Sequence, residues 1–164
     1  MELNDYQINV DTFVIIPIGK NKSKVYENGE ILIVNKSSFK IIEDSCLYFG
    51  SSYDGRRFAT KNLIGIDMKI PIIVEESRNI IFFPTSSCIR DNSIWISYQN
   101  LLKYSKFNDL VTTLYFKNSK GIKVGCKYNL IDNQVIRCIK LEKILLDRKK
   151  FVEKECFVLN HNYD

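Results

Sequence analysis

Apolar and polar positions follow short, strand-like patterns through the first two-thirds of the chain and a helical period afterwards. Tyr6, Ile8 and Val10 alternate with polar residues, and residues 13–18 are a β-branched run interrupted by Pro17 and closed by Gly19, so both segments are expected strands. After a polar loop at residues 20–24, Asn28-Gly29 separates Val25-Tyr26 from the apolar residues 31–34, the pattern of a hairpin closed by a type I′ turn. Ser37 or Ser38 can cap a short helix whose Ile42, Cys46 and Phe49 share one face, with Gly50 as its stop. Residues 70–74 and 80–83 read as paired, largely buried strands around a turn at 75–79, and Pro71 assigns the first to a sheet edge. A short strand is expected at 94–96, and a hairpin joins 112–116 to 122–126. From residue 132 or 133 to about 150 the period is helical, with Val135, Cys138, Ile139, Leu145 and Leu146 on one face and Arg137, Lys140 and Lys143 off it. The sum is an α+β fold, a β-rich single domain of hairpins over residues 1–150, followed by an exposed C-terminal tail at 151–164.

Composition narrows the class. With 164 residues, 45% of them hydrophobic, the chain can bury a core without metal or disulfide staples. Its longest apolar run, at residues 13–19, is far short of a bilayer span, and the acidic, polar start does not read as an export signal. Five cysteines, at 46, 88, 126, 138 and 156, make an odd number without C-x-x-C spacing, and His161 is the one histidine. Reduced cytoplasmic thiols are expected, with no metal and no cofactor.

The net charge of +5 is unevenly distributed: residues 97–150 hold twelve Lys or Arg against Asp109, Asp132, Glu142 and Asp147. A regional field of that sign attracts polyanions, nucleic acid before anionic lipid, although a solvated lysine-rich surface has the same composition.

The densest unusual stretch is Gly50-Ser51-Ser52-Tyr53-Asp54-Gly55-Arg56-Arg57, read as a loop after the first helix. Glycines let backbone N–H groups approach phosphate oxygens, serines add donors, and arginine offers a planar fork. The competing reading is a turn in which Arg56 or Arg57 pairs with a carboxylate such as Asp54. A nucleophile elbow fails because Gly50 and Gly55 are one residue too far apart, and His161 is the fourth residue from the end, so no nucleophile, base and oxyanion site assemble. The chain does not read as an enzyme, and a hydrolase using Ser51 or Ser52 is the weakest alternative. A second hydroxyl-rich segment, Phe82-Phe83-Pro84-Thr85-Ser86-Ser87-Cys88-Ile89-Arg90, leads to Trp95. Its aromatics are expected in the core, leaving Arg90 as the functional candidate.

Taken in order, Ser45-Cys46-Leu47-Tyr48-Phe49-Gly50-Ser51-Ser52-Tyr53-Asp54-Gly55-Arg56, Pro71-Ile72, Phe82-Phe83-Pro84-Thr85 and Trp95-Ile96-Ser97 resemble ComK, the bacterial competence transcription factor family. Tyr128-Asn129, Asn133-Gln134-Val135 and Asp147-Arg148 extend the likeness over roughly residues 6–150. The resemblance implies a sequence-specific activator of DNA-uptake genes that recognises paired A·T-rich boxes in double-stranded DNA, mainly through the minor groove. It further implies a homo-oligomer of dimers pairing on DNA, and a proteolytic adaptor whose binding region would fall at Phe157-Val158-Leu159. Arginine suits the narrow, electronegative minor groove of A-tracts. Arg56, Arg57 and Arg90 are therefore the expected groove probes, with Gly50, Ser51 and Ser52 positioning phosphates and Tyr53 or Phe58 available as an apolar wedge. The alternative is a divergent or truncated paralogue that acts as a protein-interaction module, by heterodimerisation or by occupying the adaptor, without binding DNA itself.

Overall fold

The computed structural model describes residues 1–90 and 93–161, with side chains described through Glu153. In chain order it comprises β1 (Glu2–Leu3), β2 (Thr12–Gly19), β3 (Lys22–Glu27), β4 (Glu30–Val34), α1 (Ser38–Tyr48), α2 (Tyr53–Ile64), β5 (Ile72–Glu75), β6 (Ile80–Pro84) and β7 (Trp95–Ser97). These are followed by β8 (Leu101–Lys106), β9 (Thr112–Phe116), β10 (Ile122–Val124) and α3 (Tyr128–His161). The mixed α+β class expected from the sequence is the one observed.

Two antiparallel meanders, β2-β3-β4 and β5-β6-β7, join through β2 and β7 into a seven-stranded sheet of order β1-β4-β3-β2-β7-β6-β5. The junction is short, with Val14 opposite Ile96 and Ile15 opposite Trp95. Pro17 lies on the part of β2 beyond that pairing, where its missing N–H breaks no ladder to β7. β5 is the sheet's edge strand, as Pro71 foretells.

In the middle of the sheet alternate strand residues face two cores, because both faces are covered there. Ile15, Val25, Ile72, Ile80, Phe82 and Trp95 pack on one side with Phe39, Ile42 and Cys46 of α1. Val14, Ile73, Ile81, Phe83 and Ile96 pack on the other with Leu114 and Phe116 of β9 and with Ile131, Cys138 and Leu141 of α3. The second side is thus closed by a small antiparallel sheet, β10-β9-β8, and by α3.

Several elements differ from expectation for identifiable reasons. Residues 6–10 are not a strand: Tyr6 and Ile8 are buried, but Tyr6 shares a hydrogen bond with Thr12 Oγ1 at 2.6 Å and Ile8 N–H donates to Ser45 Oγ at 3.0 Å, so side chains replace a ladder. The Asn28-Gly29 turn is not type I′, since Gly29 has φ +93° but Asn28 is not among the residues with positive φ. β3 begins at Lys22, inside the expected loop, and β1, β8 and α2 carry no clear sequence signal. The last helix starts at Tyr128, and its buried row is Ile131, Gln134, Cys138 and Leu141, leaving Ile139 and Leu146 exposed. Gln134 moves the face: its amide donates to the carbonyls of Lys69 (2.8 Å) and Pro84 (2.7 Å), a role that periodicity of apolar residues cannot register.

Candidate nucleic-acid interface

The segment read as a glycine-serine loop is the junction between two helices. At the end of α1, Gly50 adopts φ +82° and donates its N–H to Leu47 O (3.0 Å), while Ser51 N–H reaches Cys46 O (3.0 Å), the paired bonds of a Schellman motif. Ser52 then caps α2: its Oγ accepts from Gly55 N–H at 3.0 Å and its carbonyl from Arg56 N–H at 3.0 Å. A Cβ on Gly55 would stand 3.0 Å from that same Oγ, so the cap leaves little room for a side chain. The amides of Gly50, Ser51, Gly55 and Arg56 are therefore committed to helix ends, and the Ser51 and Ser52 hydroxyls are what the junction offers outward.

Helical geometry then separates the two arginines. Successive residues on a helix point about 100° apart. Arg56 turns to Glu76 in the β5–β6 turn, 2.5 Å away, with its side chain only 16% exposed and its Nε buried without a hydrogen-bond partner among the described residues. Arg57 is half-buried and meets no carboxylate within 4.0 Å among the described residues. Tyr53 is buried and meets Phe39 edge-on, with ring centroids 4.9 Å apart. Phe58, by contrast, is 67% exposed.

Arg90, from the β6–β7 loop, is exposed and carries its guanidinium 4.4 Å from the centre of the Phe39 ring. Such an exposed cation–π contact contributes about 0.5–1 kcal/mol. Burial pushes the Tyr53 hydroxyl up to about 12, against the pull of both the Arg57 and the Arg90 guanidinium. The charges of two arginines distant in sequence thus both act on Tyr53, and Arg90 alone lies over the Phe39 ring. Beside them, the ammonium of Lys36 is held by Asp5 (2.6 Å) and Asp44 (2.7 Å), and that of Lys40 by Asp44 (2.9 Å) and Glu43 (3.2 Å), so these lysines are locally neutralised.

Two hydroxyls of the second segment are used internally, Thr85 Oγ1 accepting from Ile94 N–H and Ser86 Oγ from Cys88 N–H, and Ser93 Oγ accepts from the N–H of Thr85 and Ser86. The lysine-rich region lies on the other side of the large sheet, on β8–β10 and α3. Cys46, Cys126 and Cys138 are buried free thiols, and burial raises the first two to about 11. Among the described residues no three His, Cys, Asp or Glu gather as metal ligands, and no helix is long and apolar enough to cross a membrane. Phe157, Val158 and Leu159 lie outside the described side chains.

The model of the ComK protein family matches residues 3–150. A competence transcription factor from Bacillus subtilis (strain 168) is 36% identical over 151 residues, covering 89% of this chain and 78% of that protein. No solved structure matches the chain. A match that runs through both meanders, the α1–α2 junction, the small sheet and most of α3 leaves one conclusion: the chain belongs to the ComK family.

Proposed function

We propose that this member of a family of competence transcriptional regulators binds double-stranded DNA at paired A·T-rich boxes, using Arg57 and Arg90 as its minor-groove probes. The observation that carries the reading is the Arg90 guanidinium held 4.4 Å from the centre of the Phe39 ring, which packs edge-on against Tyr53, with the Arg57 charge also acting on the Tyr53 hydroxyl. An A·T-rich minor groove is narrow and strongly negative, and inserted arginine reads that width more than base identity. Specificity would then come from two reading heads on correctly phased boxes, supplied by dimers of the chain. Arg56 belongs to the support of this site through Glu76, and the Ser51 and Ser52 hydroxyls are available to flanking phosphates.

The test is binding to a duplex with two A·T boxes against a length-matched G·C-rich duplex, over a salt series and with box spacing varied. Preference for phased A·T boxes that survives rising salt is the expected result. In the same assay Arg57→Ala and Arg90→Ala each weaken box binding by about 1–3 kcal/mol, with folding intact. Equal, steeply salt-sensitive binding to both duplexes would leave only a basic surface.

A further inference from the structure

The outer face of the small sheet has no role in the preceding site, yet its composition is selective. On its inner face Leu114 and Phe116 enter the core, so Thr113 and Tyr115 of β9 lie on the outer side by strand alternation, Thr113 buried among its neighbours and Tyr115 half-buried. Cross-strand register sets Lys103 opposite Tyr115, and Ser105 and Lys123 on either side of Thr113. Lys103 Nζ stands 4.8 Å from the Tyr115 ring centre, and Lys123 Nζ lies 3.8 Å from that of Phe107. Gly121 keeps the face flat, since a Cβ there would come within 3.0 Å of Thr113 Cγ2 and 3.1 Å of Tyr115 Cε1.

Charge decides what such a face meets. Between residues 97 and 127 there are six lysines and one carboxylate, Asp109, which sits in the β8–β9 turn and is paired with Lys106 at 2.9 Å. Among the described residues neither Lys103 nor Lys123 has an acidic partner within 4.0 Å. Each ammonium instead rests on an aromatic ring, which holds it over the sheet and leaves its N–H donors for an external oxygen.

We propose that the outer face of β8–β10 is a second contact surface for duplex DNA, with Lys103 and Lys123 meeting phosphates and Tyr115 and Ser105 lying between them. Two of its three strands fit the width of the major groove, and hydroxyls and an aromatic edge are compatible with its walls. This surface lies across the seven-stranded sheet from Arg57 and Arg90, so it is a separate contact and not an extension of theirs. The inference rests on the DNA-binding reading above.

The test compares two variants of the full chain with equal charge loss: Lys103→Gln with Lys123→Gln on the face, and Lys140→Gln with Lys143→Gln on the exposed side of α3. Affinity for the two-box duplex and for its single strand is measured over a salt series, and thermal unfolding checks that each variant folds. The expected result is that the face pair lowers the salt slope by about two while the α3 pair leaves it unchanged. Equal effects of the two pairs would mean a diffuse field, and preference for the single strand would mean a stacking platform; either overturns the proposal. If the unsubstituted chain binds no duplex, the reading beneath it fails too, whereas tight box binding insensitive to the face pair overturns this inference alone.

Discussion

Arg56 and Arg57 are adjacent in sequence and opposite in consequence. Arg56 points inward to the β5–β6 turn, where Glu76 accepts from its guanidinium at 2.5 Å, and it ties α2 to the sheet edge. Its partner is largely exposed and the contact is one N–H to one carboxylate oxygen, so the pair is worth roughly 0.5–1 kcal/mol. In a double-mutant cycle, Arg56→Ala and Glu76→Ala are expected to couple by that amount in urea unfolding, while Arg57→Ala leaves stability nearly unchanged. A coupling indistinguishable from zero, or a stability loss from Arg57→Ala as large as that from Arg56→Ala, would reverse the assignment of strut and probe. Gly50 is fixed by a different constraint: at φ +82° it has nothing within 4 Å of the place a Cβ would occupy, so any substitution there meets backbone strain alone.

Among the elements, α1 is anchored by charge as well as by its buried face. Lys36 joins Asp5 of the irregular N-terminal segment to Asp44 of α1, and Lys40 reaches the same Asp44 carboxylate. Burial alone would raise the Asp44 pKa, but the two ammonium groups overcome it and hold the carboxyl below its ordinary value. A depressed folded value stabilises the fold at neutral pH and loses that contribution as pH falls through it. Asp44→Asn should therefore cost about 1 kcal/mol at pH 7, and the difference from the unsubstituted chain should start to shrink as pH falls below the unfolded carboxylate value of about 3.9 and vanish only below the lower folded value. Urea titrations across pH check this, and a penalty that persists in acid would trace to packing. Elements of this kind were unevenly legible. The β-branched runs of β2 and β6, the edge position after Pro71 and the helical period of α3 follow directly from apolar spacing. α2 escapes it because its buried row is only Tyr53, Thr60 and Ile64 with Gly55 inside the helix, and β8 because most of its residues face solvent. For the candidate site, the sequence names Arg57 and Arg90 but cannot bring Arg90 to Phe39, since contact between residues 51 positions apart is a product of the sheet.

At the scale of the molecule, the question is whether the small sheet and the large one behave as one body, because the two proposed DNA contacts lie on opposite outer faces. Phe13 of β2 and Phe116 of β9 stack with ring centroids 4.8 Å apart and planes 5° from parallel, and Leu114 joins them in the core shared with Ile81 and Phe83. Removing a buried aromatic at such a contact costs about 3–5 kcal/mol. Trp95, the chain's one tryptophan, is buried on the far side of the large sheet among Phe39, Ile42 and Phe82, so its fluorescence reports a region that Phe116 does not touch. If the layers unfold together, Phe116→Ala shifts the Trp95 transition and the far-ultraviolet dichroism transition by the same amount, since a cooperative unit loses stability everywhere at once. A Trp95 midpoint that stays fixed while the dichroism curve acquires an early phase would show that β8–β10 unfolds independently of the large sheet. The first outcome fixes the lysine face rigidly against the arginine pair, so the paths of DNA at the two surfaces are set by the fold; the second would free them to bind with separate geometry, and box phasing would then depend on the arginine side alone.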